Sequence, residues 1–142
     1  MKKFIIPSII YAILGALGGV FYREFTKAIG FTNETSLSVV HTHYLILGMI
    51  MFLILLLFEK SFSFSDKKTN ITLIFYHIGL NITGVMLFVR GILEVLNTNL
   101  SSGINAMISG IAGIGHLILG VSLVLILIFL AIKLFKNSKA SN

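Results

Sequence analysis

Apolar residues fall into four long blocks separated by short polar stretches. The blocks run from Phe4 to Phe25, from Leu37 to Phe58, from Ile71 to Leu96 and from Ile104 to Phe135. A helix needs about 20 mainly apolar residues to cross a bilayer, so each block predicts a transmembrane helix. The last two are long enough to tilt or to extend past the lipid. The connections are short: residues 27–36, 59–70 and 97–103, the last rich in Asn, Ser and Gly. None could hold a second domain, so residues 1–142 read as one four-span domain. The single proline, Pro7, lies near the start of the first block, where a helix tolerates it best.

Composition agrees with that pattern. Apolar residues make up 56% of the chain and charged residues 11%, and mean hydropathy is +1.00. These values exclude a soluble globular domain. The lack of cysteine excludes a disulfide framework and any thiolate metal site. A net charge of +6 could point to nucleic acid, but the lysines sit beside the apolar blocks and at the tail. That is juxtamembrane charge, and no nucleic-acid partner is expected. One side carries Lys2, Lys3, Lys60, Lys67, Lys68, Lys133, Lys136 and Lys139, whereas the other carries only Arg23, Lys27 and Arg90. The positive-inside rule then predicts a multi-pass cell-membrane protein with both termini in the cytoplasm. The first block is too long for a signal-peptide core and no small-residue cleavage site follows, so it reads as a retained span. Sequons at Asn33, Asn70, Asn81 and Asn99 read as chance, since Asn81 lies inside a span.

The chemistry is carried by polar residues at membrane depth: His41, His43, His77, Asn81, Arg90, Glu94 and His116, with Arg23 and Glu24 at the end of the first span. An ionisable residue inside a span is costly and usually faces protein, water or a ligand. One intramembrane histidine is most simply an interhelical hydrogen bond. Here all four histidines of the chain lie in spans, which favours ligation, imidazole being the commonest metal ligand. Counting from the helix starts puts His41 and His43 about 6–9 Å below the outer edge. The same count puts His77 in the inner third and His116 near mid-membrane, so those two share a depth. Two residues along a helix is about 200°. His41 and His43 therefore point to opposite sides and serve two different neighbours. Arg90 and Glu94 share a face and predict an ion pair, although Arg23 or Arg90 could instead hold anionic groups above a cofactor. The glycines, including the Gly15/Gly19 pair and Gly110, Gly113, Gly115 and Gly120, read as helix contacts or as clearance for a flat macrocycle.

The stretch Val39-Val40-His41-Thr42-His43-Tyr44-Leu45-Ile46-Leu47-Gly48-Met49 resembles the tenth transmembrane helix of the heme–copper oxidase catalytic subunit. In that family the two histidines of the His-x-His-Tyr run ligate two hemes on opposite sides of the helix. Ile78-Gly79-Leu80-Asn81-Ile82-Thr83 is similar to the eleventh helix, with its Gly-x-Asn-x-Thr segment and basic residues near the heme propionates. The fourth block is similar to the twelfth, and the first takes the ninth by position. The chain is also similar to a small, uncharacterised family of four-span bacterial membrane proteins. The resemblance implies one four-helix arc of a twelve-helix ring, which a homotrimer would rebuild. His41 of one protomer and His43 of its neighbour would then be the axial ligands of a low-spin heme, with Arg90 and Arg23 beside its propionates. Heme b is expected, because no Cys-x-x-Cys-His is present for covalent attachment. Bis-histidine ligation implies electron transfer, with quinol or another redox carrier as partner. The copper-site helix and its adjacent His-His pair are absent, which argues against oxygen or nitric oxide reduction. Two alternatives stay open. His77 and His116 could hold a heme within one bundle, or the histidines could serve a non-heme transporter or accessory subunit. No nucleotide loop, paired carboxylates or nucleophilic triad appears.

Overall fold

The computed structural model describes residues 1–140, with side chains as far as Lys136. Lys139, among the basic residues used to orient the chain, lies outside that side-chain range. The described residues are entirely helical apart from turns and short connections. The four helices are α1 (Lys2–Ile29), α2 (Leu37–Phe62), α3 (Lys67–Val95) and α4 (Ser102–Ala140). Each is long and apolar enough to cross a membrane. The helices outrun the apolar blocks because lysines and threonines continue them past the lipid-compatible stretch.

Local chemistry fixes the ends. Gly30 takes φ +70°, and the amides of Gly30 and Phe31 donate to Lys27 O and Thr26 O. This is the paired closure of a helix C-terminus that glycine permits without a Cβ clash. Ser63 and Asn97 turn the chain with φ of 45° and 48°. Asp66 caps α3, its Oδ1 accepting from the Thr69 amide at 2.8 Å and the Thr69 hydroxyl at 3.0 Å. Pro7 falls in the second turn of α1, so the missing amide costs only a bond near the helix end. At the end carrying both termini, Lys3 donates to Asn70 Oδ1 at 2.8 Å and lies 3.9 Å from Glu59.

Order in space follows order in the chain. The main interfaces are α1 with α2, α2 with α3 and α3 with α4, and α2 meets α4 only narrowly. Glycines set the close approaches. Gly48 admits the Tyr11 ring, Gly84 admits the Tyr44 ring, and Gly91 meets the backbone of Leu37. A Cβ on Gly79 would stand 2.5 Å from the backbone nitrogen of Leu119. Inside lie Tyr11, Tyr44, Phe52, Tyr76 and Leu80. Their rings are stepped, with centroids 5.8 Å apart for Tyr11–Tyr44 and 5.9 Å for both Tyr11–Phe52 and Phe52–Tyr76.

One departure from regular helix was not legible in the sequence. From His43 to Ile50, α2 widens into π-helical turns, and the Met51 amide donates to Ile46 O five residues back. Two buried hydroxyls enter this segment from its neighbours. Tyr76 on α3 donates to Leu47 O at 2.7 Å, and Ser8 on α1 donates to Met49 O at 3.1 Å. Both donors satisfy carbonyls within the widened stretch, where the regular ladder is interrupted.

Candidate functional site

The four histidines separate into three environments. His41 faces α1, where a Cβ on Gly19 would meet its Cβ at 3.6 Å, and its Nδ1 is buried without a hydrogen-bond partner. His43 faces the other way, with its ring edge-on to His116 of α4 at a centroid distance of 6.0 Å. The two thus occupy opposite flanks of α2, as their two-residue spacing requires.

His43 and His116 are held alike. His43 Nδ1 lies 2.8 Å from Val39 O, and His116 Nδ1 lies 2.9 Å from Ala112 O. A carbonyl can only accept, so each Nδ1 carries the proton and donates. In the neutral rings Nε2 therefore keeps its lone pair. An N–H anchored to a backbone carbonyl with the other nitrogen free is the arrangement that orients a metal-ligating histidine. Around His116 the face of α4 is smooth, since a Cβ on Gly113 or Gly120 would meet nothing within 4 Å. The glycines of α4 thus divide: Gly115 packs against Ile82 and Thr83, whereas Gly110, Gly113 and Gly120 face away from the chain.

His77 is a different group. Asn81 Nδ2 donates to His77 O at 2.8 Å and lies 3.0 Å from Tyr11 Oη. The carbonyl fixes the amide orientation, so Tyr11 Oη accepts the second Asn81 proton and gives its own to His77 Nδ1, 2.7 Å away. His77 consequently carries its proton on Nε2, the reverse of His43 and His116. Its ring stacks on Phe52 at 4.6 Å. Tyr11, which binds this group together, was not singled out in the sequence. Its signal was a tyrosine in the middle of a span rather than in the interfacial belt.

The expected match of His77 with His116 in depth is corrected by this geometry. Tyr44 packs on Gly84, and Gly115 packs beside Thr83, so positions 44, 84 and 115 share a level and carry His43 and His116 with them. Depth counted from helix starts failed because α4 begins well beyond the N-terminal end of α2. The structure places His77 against Tyr11 and His116 against His43.

The expected Arg90–Glu94 ion pair is likewise absent. Glu94 accepts from the amide and the hydroxyl of Ser36, at 2.6 and 2.9 Å, and so caps the start of α2. Two orphan donors at a helix N-terminus outbid one exposed i,i+4 pair. Arg90 turns to α4 instead, donating to Asn105 Oδ1 at 2.7 Å and Ser109 Oγ at 2.6 Å. Both partners are neutral, and no carboxylate lies within ion-pair distance of Arg90 among the described residues. Ser109 is two turns before His116, so Arg90 stands about 10 Å above that imidazole along one face of α4. Arg23 projects outward at the end of α1, 3.7 Å from Glu24.

The fold and these residues define a multi-pass helical membrane protein with intramembrane histidines in two tautomeric settings. The chain belongs to the DUF2871 family, described as a protein of unknown function, whose model matches residues 1–133. No curated protein and no solved structure matches it.

Proposed function

We propose that this protein is a membrane heme b protein that transfers electrons, with His41 and His43 as axial ligands contributed by adjacent protomers of a homotrimer. The observation that carries the reading is the pair of imidazoles on opposite flanks of α2: one with a buried unpartnered nitrogen, one with Nδ1 anchored and Nε2 free. The donor set fits heme iron, which takes two neutral imidazole nitrogens and needs no carboxylate or thiolate. Gly113 leaves space for a flat macrocycle on the His43 flank, and Arg90, lacking a carboxylate partner, would pair with a propionate there. The resemblance of the His41-Thr42-His43-Tyr44 run to the heme–copper oxidase helix supports the same reading. A closed ring of three copies would give every α2 two equivalent clefts.

Heme held in this way would supply one-electron chemistry between its ferrous and ferric states. The chain would supply the two nitrogens, the cation for the propionates and an apolar surround. The reading includes both termini in the cytoplasm, the cell membrane as location, and quinol or another redox carrier as electron partner. Its test is a reduced-minus-oxidised spectrum of detergent-purified protein, with heme and chain quantified together. Sharp low-spin bands at one heme per chain are expected, lost in His41→Ala and in His43→Ala and kept in His77→Ala and His116→Ala. A protein that stays colourless after heme reconstitution would refute it, leaving a transport or accessory role.

A second reading rests on the 6.0 Å separation of His43 and His116. It places the ligand pair within one chain and makes His41 a packing residue. It predicts a monomeric heme protein whose spectrum survives His41→Ala and disappears with His116→Ala.

A further inference from the structure

At the end carrying both termini, the seam between α3 and α4 opens into a cavity of about 300 Å³. Lys68 from the first turn of α3 and Lys133 and Lys136 from α4 line it, over an apolar wall that includes Phe64 and Phe129. The one acidic residue on its wall is Asp66. That carboxylate is committed to the amide and hydroxyl of Thr69. The ion pairs among the described residues are Lys3–Glu59 and Arg23–Glu24, so none of the three lysines is in an ion pair, although Lys68 lies close enough to Asp66 for the two charges to attract. Three cations against one carboxylate leave the cavity with a positive excess.

The same seam continues toward the apolar centre. Thr72 is one turn beyond Lys68, and Leu125 is one turn before Phe129. Between them lies a second hollow of about 290 Å³ with predominantly apolar walls, including Phe75, Leu117 and Val121. The Thr72 hydroxyl is turned back on Lys68 O at 3.0 Å. A cationic mouth at the end of the seam therefore stands one helical turn from an apolar trough.

We propose that this seam binds an anionic phospholipid, with its phosphate between Lys68, Lys133 and Lys136 and one acyl chain along the trough. Charge complementarity selects the headgroup, and the trough selects a lipid over a soluble anion, which would use only the mouth. Each lysine near a membrane surface contributes about fivefold in affinity for an anionic headgroup. Removal of all three lowers it about a hundredfold by the same rule. The site uses no histidine and stands apart from the heme reading.

The test is native mass spectrometry of the full chain released from nanodiscs containing equal phosphatidylglycerol and phosphatidylcholine. The wild type is expected to retain phosphatidylglycerol selectively, even against a large excess of inorganic phosphate. K68Q/K133Q/K136Q should lose that selectivity, and K2Q/K27Q/K60Q, with the same change in net charge, should keep it. Val121→Trp, which fills the trough at an exposed position and leaves the charges in place, should weaken retention. Circular dichroism checks that each variant keeps its helices. Equal retention of the two lipids, retention by K68Q/K133Q/K136Q, or loss by both triple variants alike would overturn the site. Displacement by inorganic phosphate, or no effect of Val121→Trp, would overturn the lipid assignment in favour of a soluble anion.

Discussion

Gly79→Ala offers a measure of how rigidly the α3–α4 seam is set. The new Cβ would stand 2.5 Å from Leu119 N and 2.8 Å from Leu119 Cα. These are backbone atoms, so no rotamer change relieves the contact. Ordinary contact begins at 3.4 Å, and α4 must retreat about 0.9 Å at that point. The retreat loosens the neighbouring contact of Gly115 with Ile82 and Thr83. Overpacking of this kind costs about 1–3 kcal/mol, against about 1 kcal/mol gained by replacing a helical glycine with alanine. The net expectation is a loss of roughly 0–2 kcal/mol. Gly113→Ala is the internal control, because its Cβ meets nothing within 4 Å and only the propensity gain of up to about 1 kcal/mol remains. Unfolding of both variants by titration with a denaturing detergent, followed by circular dichroism, gives the two differences. Gly79→Ala above wild-type stability, or as stable as Gly113→Ala, would refute the packing argument.

Tyr11→Phe should cost about 1–3 kcal/mol, because it strands His77 Nδ1 and one Asn81 proton in a buried setting. The coupling appears in a double-mutant cycle with His77→Leu, and strict additivity would show that the hydrogen bond carries nothing. Glu94→Ala removes the acceptor for both Ser36 donors and should lower stability by about 1 kcal/mol, with faster amide exchange at the start of α2 as the local readout. The Thr69 amide, and then its hydroxyl, hold the Asp66 carboxyl below the usual aspartate range. A depressed folded value means that the cap stabilises above the unfolded aspartate pKa of about 3.9 and is lost as pH falls through the folded value. Wild type and Asp66→Ala should therefore differ at neutral pH and converge in acid. A constant difference across that window would assign the effect to something other than the ionised cap.

Much of this architecture follows from the sequence alone. The period and length of the apolar blocks give four helices, because a chain with 56% apolar residues can satisfy its backbone in lipid only by internal hydrogen bonding. The His-x-His spacing places the two imidazoles of α2 on opposite flanks, since 100° per residue is a property of the helix and needs no neighbour.

Register between helices is different, because it depends on which side chains interlock and not on any one segment. Only packing shows that Gly84 receives Tyr44 and that Gly115 sits beside Thr83, and those contacts bring His43 to His116 and leave His77 with Tyr11. Only tertiary contact turns Glu94 from an i,i+4 partner into the cap of another helix and leaves Arg90 to α4. Only tertiary contact brings hydroxyls from α1 and α3 to the π-helical stretch of α2. Periodicity fixes what one helix must do. The nearest neighbour of each histidine, and the tautomer of His77, are decided by atoms that lie far away in the chain.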